Sequence, residues 1–218
     1  MVAALVAQWM ENVEGNPADA VDTLRRLVLD IVAEYGQAAA ATAIDFYDSV
    51  RPPGSPAFRP QPFVRDDLVG GGTLNWISQP LAGESPGDAL DRAAAGIQKA
   101  SYQAAVETIG EAAQADPLDV RYARWPRNPD PCAFCVLRAS RGAVYWSENT
   151  AERGDHLKCG CDVTPVFPDE PLPYNPKPYR RQYLAGASEA SDEIDAARPG
   201  KAKRTALLSG MRRANGTR

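Results

Sequence analysis

The chain has 218 residues, 44% of them hydrophobic, enough for one sizeable core or two small ones. Its formal charge of −4 excludes a generally basic nucleic-acid coat. No uninterrupted apolar run approaches the roughly 20 residues that span a bilayer, so no membrane partner is expected.

Residues 1–12 read as a short helix with Leu5, Trp9 and Met10 on one face. Gly15-Asn16-Pro17 then breaks and restarts the chain, with Asn16 suited to capping and Pro17 to a first helical turn. From there to about residue 50, Val21, Leu24, Val28, Ile31, Val32 and Tyr35 recur at helical spacing. The small residues of 38–43 suit close packing against another helix, and Ile44, Phe46 and Tyr47 add bulky contacts.

The stretch RPPGSPAFRPQP at 51–62 cannot continue a helix and reads as an extended arm. Residues 63–69 are expected as a short strand or turn. Gly70-Gly71-Gly72 is expected as a flexible break; it is not a phosphate loop, since no G-K-[ST] follows. A second long helix is expected from near Ser85 to about Ala115. Leu90, Ala94, Ile97, Tyr102, Val106 and Ile109 form its apolar face, and Asp116-Pro117 ends it.

After residue 116 aromatics gather around the cysteines. Residues 121–125 and 162–167 read as strands, 135–140 as a turn or two of helix, and 141–145 as a turn followed by a strand. All four cysteines and the only histidine lie between Cys132 and Cys161. Cys132-x-x-Cys135 points two sulfurs at one place, and His156, Cys159 and Cys161 return further donors after a short excursion, which is the pattern of structural Zn2+. Zinc takes four ligands and five candidates are present. The preferred set is Cys132, Cys135, His156 and Cys161, with Cys159 the substitute.

Two disulfides, a redox pair and metal-free thiols are the competing readings. Residues 1–13 carry no basic start and no cleavage-type ending, so a reducing, intracellular setting is expected, and that favours metal. Arg121, Arg124, Trp125, Arg127, Arg138 and Arg141 are candidates for nucleic-acid contact, against a reading as ordinary surface arginines.

Residues 168–178 are proline-rich and read as an extended strap, and YRRQY at 179–183 as the start of a short helix. Residues 188–197 are acidic. Residues 198–218 carry seven basic side chains and no acidic one, the composition of a disordered anion-binding tail. Lys201, Lys203, Arg204, Arg212 and Arg213 are its candidate nucleic-acid contacts.

The expected fold class is α+β. Long N-terminal helices pack as a hairpin or bundle over 1–117, with a Pro/Gly-rich insertion at 51–84. A small Cys/His knuckle module follows at 118–168, then a strap and basic tail at 169–218.

Several stretches together resemble the MuF-like minor head proteins of tailed bacteriophages, in their actinobacteriophage form. They are Tyr35-Gly36 with Ala38-Ala39 and DFYD at 45–48, Asp116-Pro117, CAFC at 132–135, ASRGAVY at 139–145, and His156 through Cys159-Gly160-Cys161 to PVF at 165–167. The resemblance spans roughly residues 5–167 and is most specific in the cysteine region. Leu157-Lys158 departs from the pattern, in which a second histidine often precedes the first cysteine of this pair; its lack here points to His156.

The resemblance implies a minor capsid protein of phage head morphogenesis. Such a protein is made in the host cytoplasm and sits in the virion, inside the capsid near the portal. Its expected partners are the portal protein, other head proteins and, non-specifically, packaged DNA. Some relatives are labelled capsid maturation proteases. That enzyme and a free zinc-dependent DNA-binding protein are the alternatives. Against the protease, the one histidine is expected as a ligand, which leaves no base for a Ser–His pair, and no H-E-x-x-H helix is present.

Overall fold

A computed structural model describes residues 17–83, 85–127, 129–145 and 161–217. The helix expected at 1–12 lies outside them, as do Asn16, Trp146, His156 and Cys159. Among the described residues the chain is mostly helical with one small sheet, α+β as expected. It divides into two compact units, one of residues 1–46 and 61–108, the other of 47–60 and 109–218.

In the first unit, helix α1 (Pro17–Val50) starts on its proline with Asp19 in the first turn, both favourable at a helix N-terminus. Helix α3 (Pro86–Ala115) repeats that arrangement with Asp88. Leu24, Val28 and Val32 of α1 share a buried cluster with Ala89, Ala93 and Ala100 of α3. A Cβ placed on Gly36 would lie 3.8 Å from Ala104. Early residues of α1 thus meet early residues of α3, and later meet later, so the two helices run in the same direction. This is the bundle alternative of the expectation; a hairpin would reverse the pairing.

The early contact face of α3 is made of alanines, while of the larger residues the periodicity favoured Val106 and Ile109 are buried as expected. Ala94 is exposed, and Leu90 and Ile97 flank the cluster half-buried. Tyr35, read as core, is 43% exposed. By length and composition alone, Asp19–Val50 is apolar enough to cross a membrane, with mean hydropathy 1.3 over its best window. Scattered charges such as Asp30 and Glu34 hide this from a search for unbroken apolar runs. In the protein, Leu24, Val28 and Val32 of that helix are buried against α3.

Residues 63–69 take the turn alternative of the expectation, with a turn at 66–67 and no strand. Phe63 is held through both backbone groups by the buried Thr108 hydroxyl, at 3.1 and 3.0 Å. Gly70-Gly71-Gly72, expected as a flexible break, opens helix α2 (Gly71–Ser78). The Gly70 carbonyl accepts Thr73 N–H and Leu74 N–H at 2.9 and 3.1 Å. The glycines carry the chain into the helix, and burial of Ile77 and packing of Leu74 and Trp76 on the α1–α3 cluster offset their entropy. A short 3-10 turn, Gln79–Gly83, follows.

In the second unit, β1 (Arg121–Pro126) pairs antiparallel with β2 (Cys161–Val166), Tyr122 opposite Pro165 and Pro126 opposite Cys161. Along β2, Cys161, Val163 and Pro165 are buried and the residues between them half-buried, the two-residue alternation of a one-sided sheet. Of the strand expected after Arg141, the described part is a single bridge, Tyr122 to Tyr145. Helix α4 (Ala133–Ala139) packs on β1 and is buried along its whole length.

The helix expected to start at 179–183 is present as α5 (Lys177–Glu189), followed by α6 (Ser191–Ala196), and the basic run expected as a disordered tail is helical too, as α7 (Lys201–Asn215). Two causes act together. Met211, Leu207 and Leu208 give α7 an apolar stripe that packs with Ala133, Val136 and Leu137 of α4 and with Tyr179 and Tyr183 of α5. The acidic run of α5–α6 also complements the basic run of α7, since Arg213 pairs with Glu189 at 3.3 Å and Glu193 at 2.8 Å. Gly186 and Gly210 let α5 and α7 cross nearly backbone to backbone; a Cβ on Gly186 would lie 2.6 Å from Met211 Cα.

Candidate metal centre

Pro131 leads Cys132 into extended backbone (φ −68°, ψ 159°) at the N-cap of α4, where its carbonyl accepts Val136 N–H at 3.1 Å. Three residues on, Cys135 falls on the same helical face. The two sulfurs are 3.4 Å apart, beyond the roughly 2.05 Å of a disulfide bond. Two thiolates on one tetrahedral zinc, each at about 2.3 Å, sit about 3.8 Å apart. The pair is therefore within a few tenths of an ångström of the spacing that zinc needs from two of its corners. Cys135 is buried and Cys132 partly accessible.

Cys161 is fully buried at the start of β2. The strand it pairs with, β1, packs against α4, so it belongs to the same small module as the pair. Among the described residues, no group of three or more His, Cys, Asp or Glu side chains gathers as a metal site. The remaining candidates, His156 and Cys159, lie outside them. Two sulfurs at tetrahedral spacing, with a third cysteine in the same module, are a donor set of the soft kind that zinc takes.

The far end of α4 is fixed by hydroxyls. Its last carbonyls have no donors within the helix itself. Ser140 donates to the Leu137 carbonyl at 2.8 Å, Tyr145 to that of Arg138 at 3.3 Å, and Tyr174 to that of Ala139 at 2.9 Å. Tyr174 lies in the proline-rich strap and pins it to the helix. Burial pushes its phenol well above the ordinary range, helped by Tyr145, Tyr179 and Cys161 nearby. Ser140 and Cys135 are only 7% and 2% exposed.

The arginines expected to face nucleic acid are largely committed to the module itself. Arg124 and Arg138 are each 2% exposed. The Arg138 guanidinium lies 4.6 Å from the ring centre of Phe134 and 5.6 Å from that of Tyr145. Arg127 pairs with Asp162 at 3.0 Å, and Arg121 approaches Asp119 at 4.0 Å. Arg141 is exposed. Of the expected tail contacts, Lys201, Lys203 and Arg204 open α7, and Arg212 and Arg213 close it.

One cluster escaped the sequence reading. Asp116 accepts from Arg51 Nε and a terminal Arg51 nitrogen at 2.8 and 3.0 Å, from Tyr47 at 3.1 Å and from Leu118 N–H at 2.9 Å. Burial alone would raise the Asp116 carboxyl. The hydrogen bonds from Arg51, Leu118 and Tyr47, with the Arg51 charge, outweigh it and hold the group below the usual carboxylate range. Tyr47 is driven far above its ordinary value, first by burial and then by the Asp116 charge. Its ring also meets Phe58 and Phe167 edge-on, at 6.2 and 5.6 Å. The only local signal was Asp116-Pro117, which reads as a helix stop.

A family model described as VG15 protein matches residues 1–186, most of the chain. The chain belongs to this phage-related family. No curated protein and no solved structure gives a significant match.

Proposed function

We propose that this protein is a minor capsid protein of a tailed phage that acts in head morphogenesis, docks near the portal inside the capsid, and touches packaged DNA without sequence preference. The observation that carries the reading is membership of a phage family over residues 1–186, joined to the MuF-like resemblance of the cysteine region. The two-unit organisation supports it: a helical first unit suits docking on other head proteins, and the second unit carries the cysteine module and the cationic helix α7.

In this reading Cys132, Cys135 and Cys161, with His156 or Cys159, hold Zn2+. Bound zinc supplies cross-linking of a module whose sheet has two strands among the described residues. The chain's own residues set the sulfur spacing and bury two of the thiols.

The test is assembly of procapsids with and without the cognate portal protein. The chain is expected in low copy in portal-containing shells and lacking in portal-free ones. Equal incorporation in both, or none in either, refutes portal docking.

A further inference from the structure

The Cys132–Cys135 pair supports a second chemistry besides ligation. Its sulfurs lie 3.4 Å apart and a disulfide needs about 2.05 Å, so bond formation asks them to close by about 1.4 Å. The movement falls to Cys132. That residue stands in extended backbone at the N-cap, outside the helical turns, whereas Cys135 is inside α4, which is buried along its whole length. Ala133, Val136 and Leu137 hold α4 against Met211 of α7, so the helix stays in place while the Cys132 side chain turns.

Access to the sulfurs is graded in the order that thiol–disulfide exchange requires. Exchange needs one sulfur that a reagent reaches and a second that reaches only the first. Cys132 is partly accessible, Cys135 is 2% exposed and Cys161 is 0% exposed. An oxidant therefore meets Cys132 first. Cys135 is the sulfur beside it, and Cys161 is shielded.

We propose that Cys132 and Cys135 are a redox-active pair that closes to a disulfide by exchange with a low-molecular-weight disulfide such as oxidised glutathione. The Cys132 sulfur attacks one sulfur of the oxidant, breaks its S–S bond and expels one thiol, which carries away the Cys132 proton. Cys135 then attacks the Cys132 sulfur of the mixed disulfide and expels the second thiol, with the Cys135 proton. The two cysteines lose two electrons and two protons, and the oxidant gains them as two thiols.

A sulfur held in a disulfide is no longer a thiolate, so the closed pair cannot hold a metal. That control of the metal centre rests on the zinc reading proposed above; the disulfide rests on the geometry of the pair. A chain made in a reducing cytoplasm and carried out in a virion passes between the settings that favour the open and the closed forms.

The experiment uses the full chain, purified under reducing conditions and stripped of metal with a chelator. It is incubated with oxidised glutathione, quenched with an alkylating reagent, and read by intact mass and peptide mapping, with circular dichroism as the check of folding. The wild type is expected to lose the mass of two hydrogens and two alkylatable thiols, with the bond mapped to Cys132 and Cys135 and with Cys161 alkylated after unfolding. Cys135→Ser is expected to stop at a stable glutathione adduct on Cys132, and Cys132→Ser to form no adduct on Cys135. Zinc uptake should be lost in the oxidised chain and return with reductant.

Wild-type thiols that stay reduced in excess oxidised glutathione, or a bond that uses Cys159 or Cys161, overturn the proposal whatever the variants do. Equal adducts on Cys132 and Cys135 in the two folded variants overturn the assigned order of attack. A disulfide at Cys132–Cys135 in a chain whose reduced form takes up no zinc upholds the redox pair and removes the zinc reading. A pair that stays reduced in a chain that does take up zinc does the reverse, and portal docking keeps its own test.

Discussion

Asp116→Asn is expected to destabilise the protein by about 3 kcal/mol at pH 7. The Asp116 side chain is fully buried, and that of Arg51 is 10% exposed. The substitution keeps an oxygen for Leu118 N–H or Arg51 but turns the other acceptor into a donor facing a guanidinium. One charge-assisted hydrogen bond, worth about 1.5–3 kcal/mol, is lost. Arg51 also loses its counter-ion, and breaking a buried pair by removing one partner costs about 3–5 kcal/mol. The Arg51 side chain retains some water contact, which places the expectation at the lower end.

The measurement is urea denaturation of the wild type, Asp116→Asn, Arg51→Gln and the double variant. A loss below about 1 kcal/mol, or additive single effects, refutes the argument, because residues of one hydrogen-bonded network couple. The pH dependence is a second check. The folded-state pKa of Asp116 lies below its unfolded value of about 3.9, so its contribution is complete above that pH and is lost as pH falls toward the folded value. The gap between wild type and Asp116→Asn should narrow below about pH 4, and an undiminished gap at about pH 2 counts against the pairing.

Gly210→Ala places a methyl group into the Gly186 carbonyl oxygen and 2.6 Å from Ala190 Cβ. It should cost about 1–3 kcal/mol and lower the thermal midpoint; a midpoint within a degree of wild type would remove the close α5–α7 crossing from the account. Thr108→Val leaves both backbone groups of Phe63 without their hydroxyl partner, for a loss of about 1–3 kcal/mol, with faster hydrogen exchange at the Phe63 amide as the local readout. Elemental analysis of protein purified under reducing conditions should find about one zinc per chain, with thiols that react only after chelation. Cys135→Ser should lower the zinc content, and full thiol reactivity before chelation would sink the metal reading.

Much of the local structure was legible in the sequence because its causes are local. The proline starts of α1 and α3, the stop at Asp116-Pro117 and the helical spacing of Leu24, Val28 and Val32 all appear within one window of the chain. So does the Cys132–Cys135 pair, since a three-residue separation on a helix brings two side chains to one face whatever surrounds it. The unread features depend on distant residues. Periodicity carries no information about direction, so the shared sense of α1 and α3 was invisible. Asp116 looked like a terminator because Tyr47 and Arg51 stand 69 and 65 residues away. The basic run at 198–218 looked solvated because its partners, Glu189 and Glu193 for charge and the α4 face for Leu207 and Met211, lie on other helices.

The shared direction of α1 and α3 has a consequence for synthesis on the ribosome. Gly36 and Ala104 meet at a sequence separation of 68 residues, although Val64 and Leu68, which also reach Gly36, are made sooner. At about 5–20 residues per second, α1 emerges and waits roughly 3–14 s for its partner. Through that interval Leu24, Val28 and Val32 face water or whatever else will cover them. A parallel helix pair with a long return thus folds late, with a high separation between contacting residues, and its first helix is the part of the nascent chain most in need of a holding chaperone.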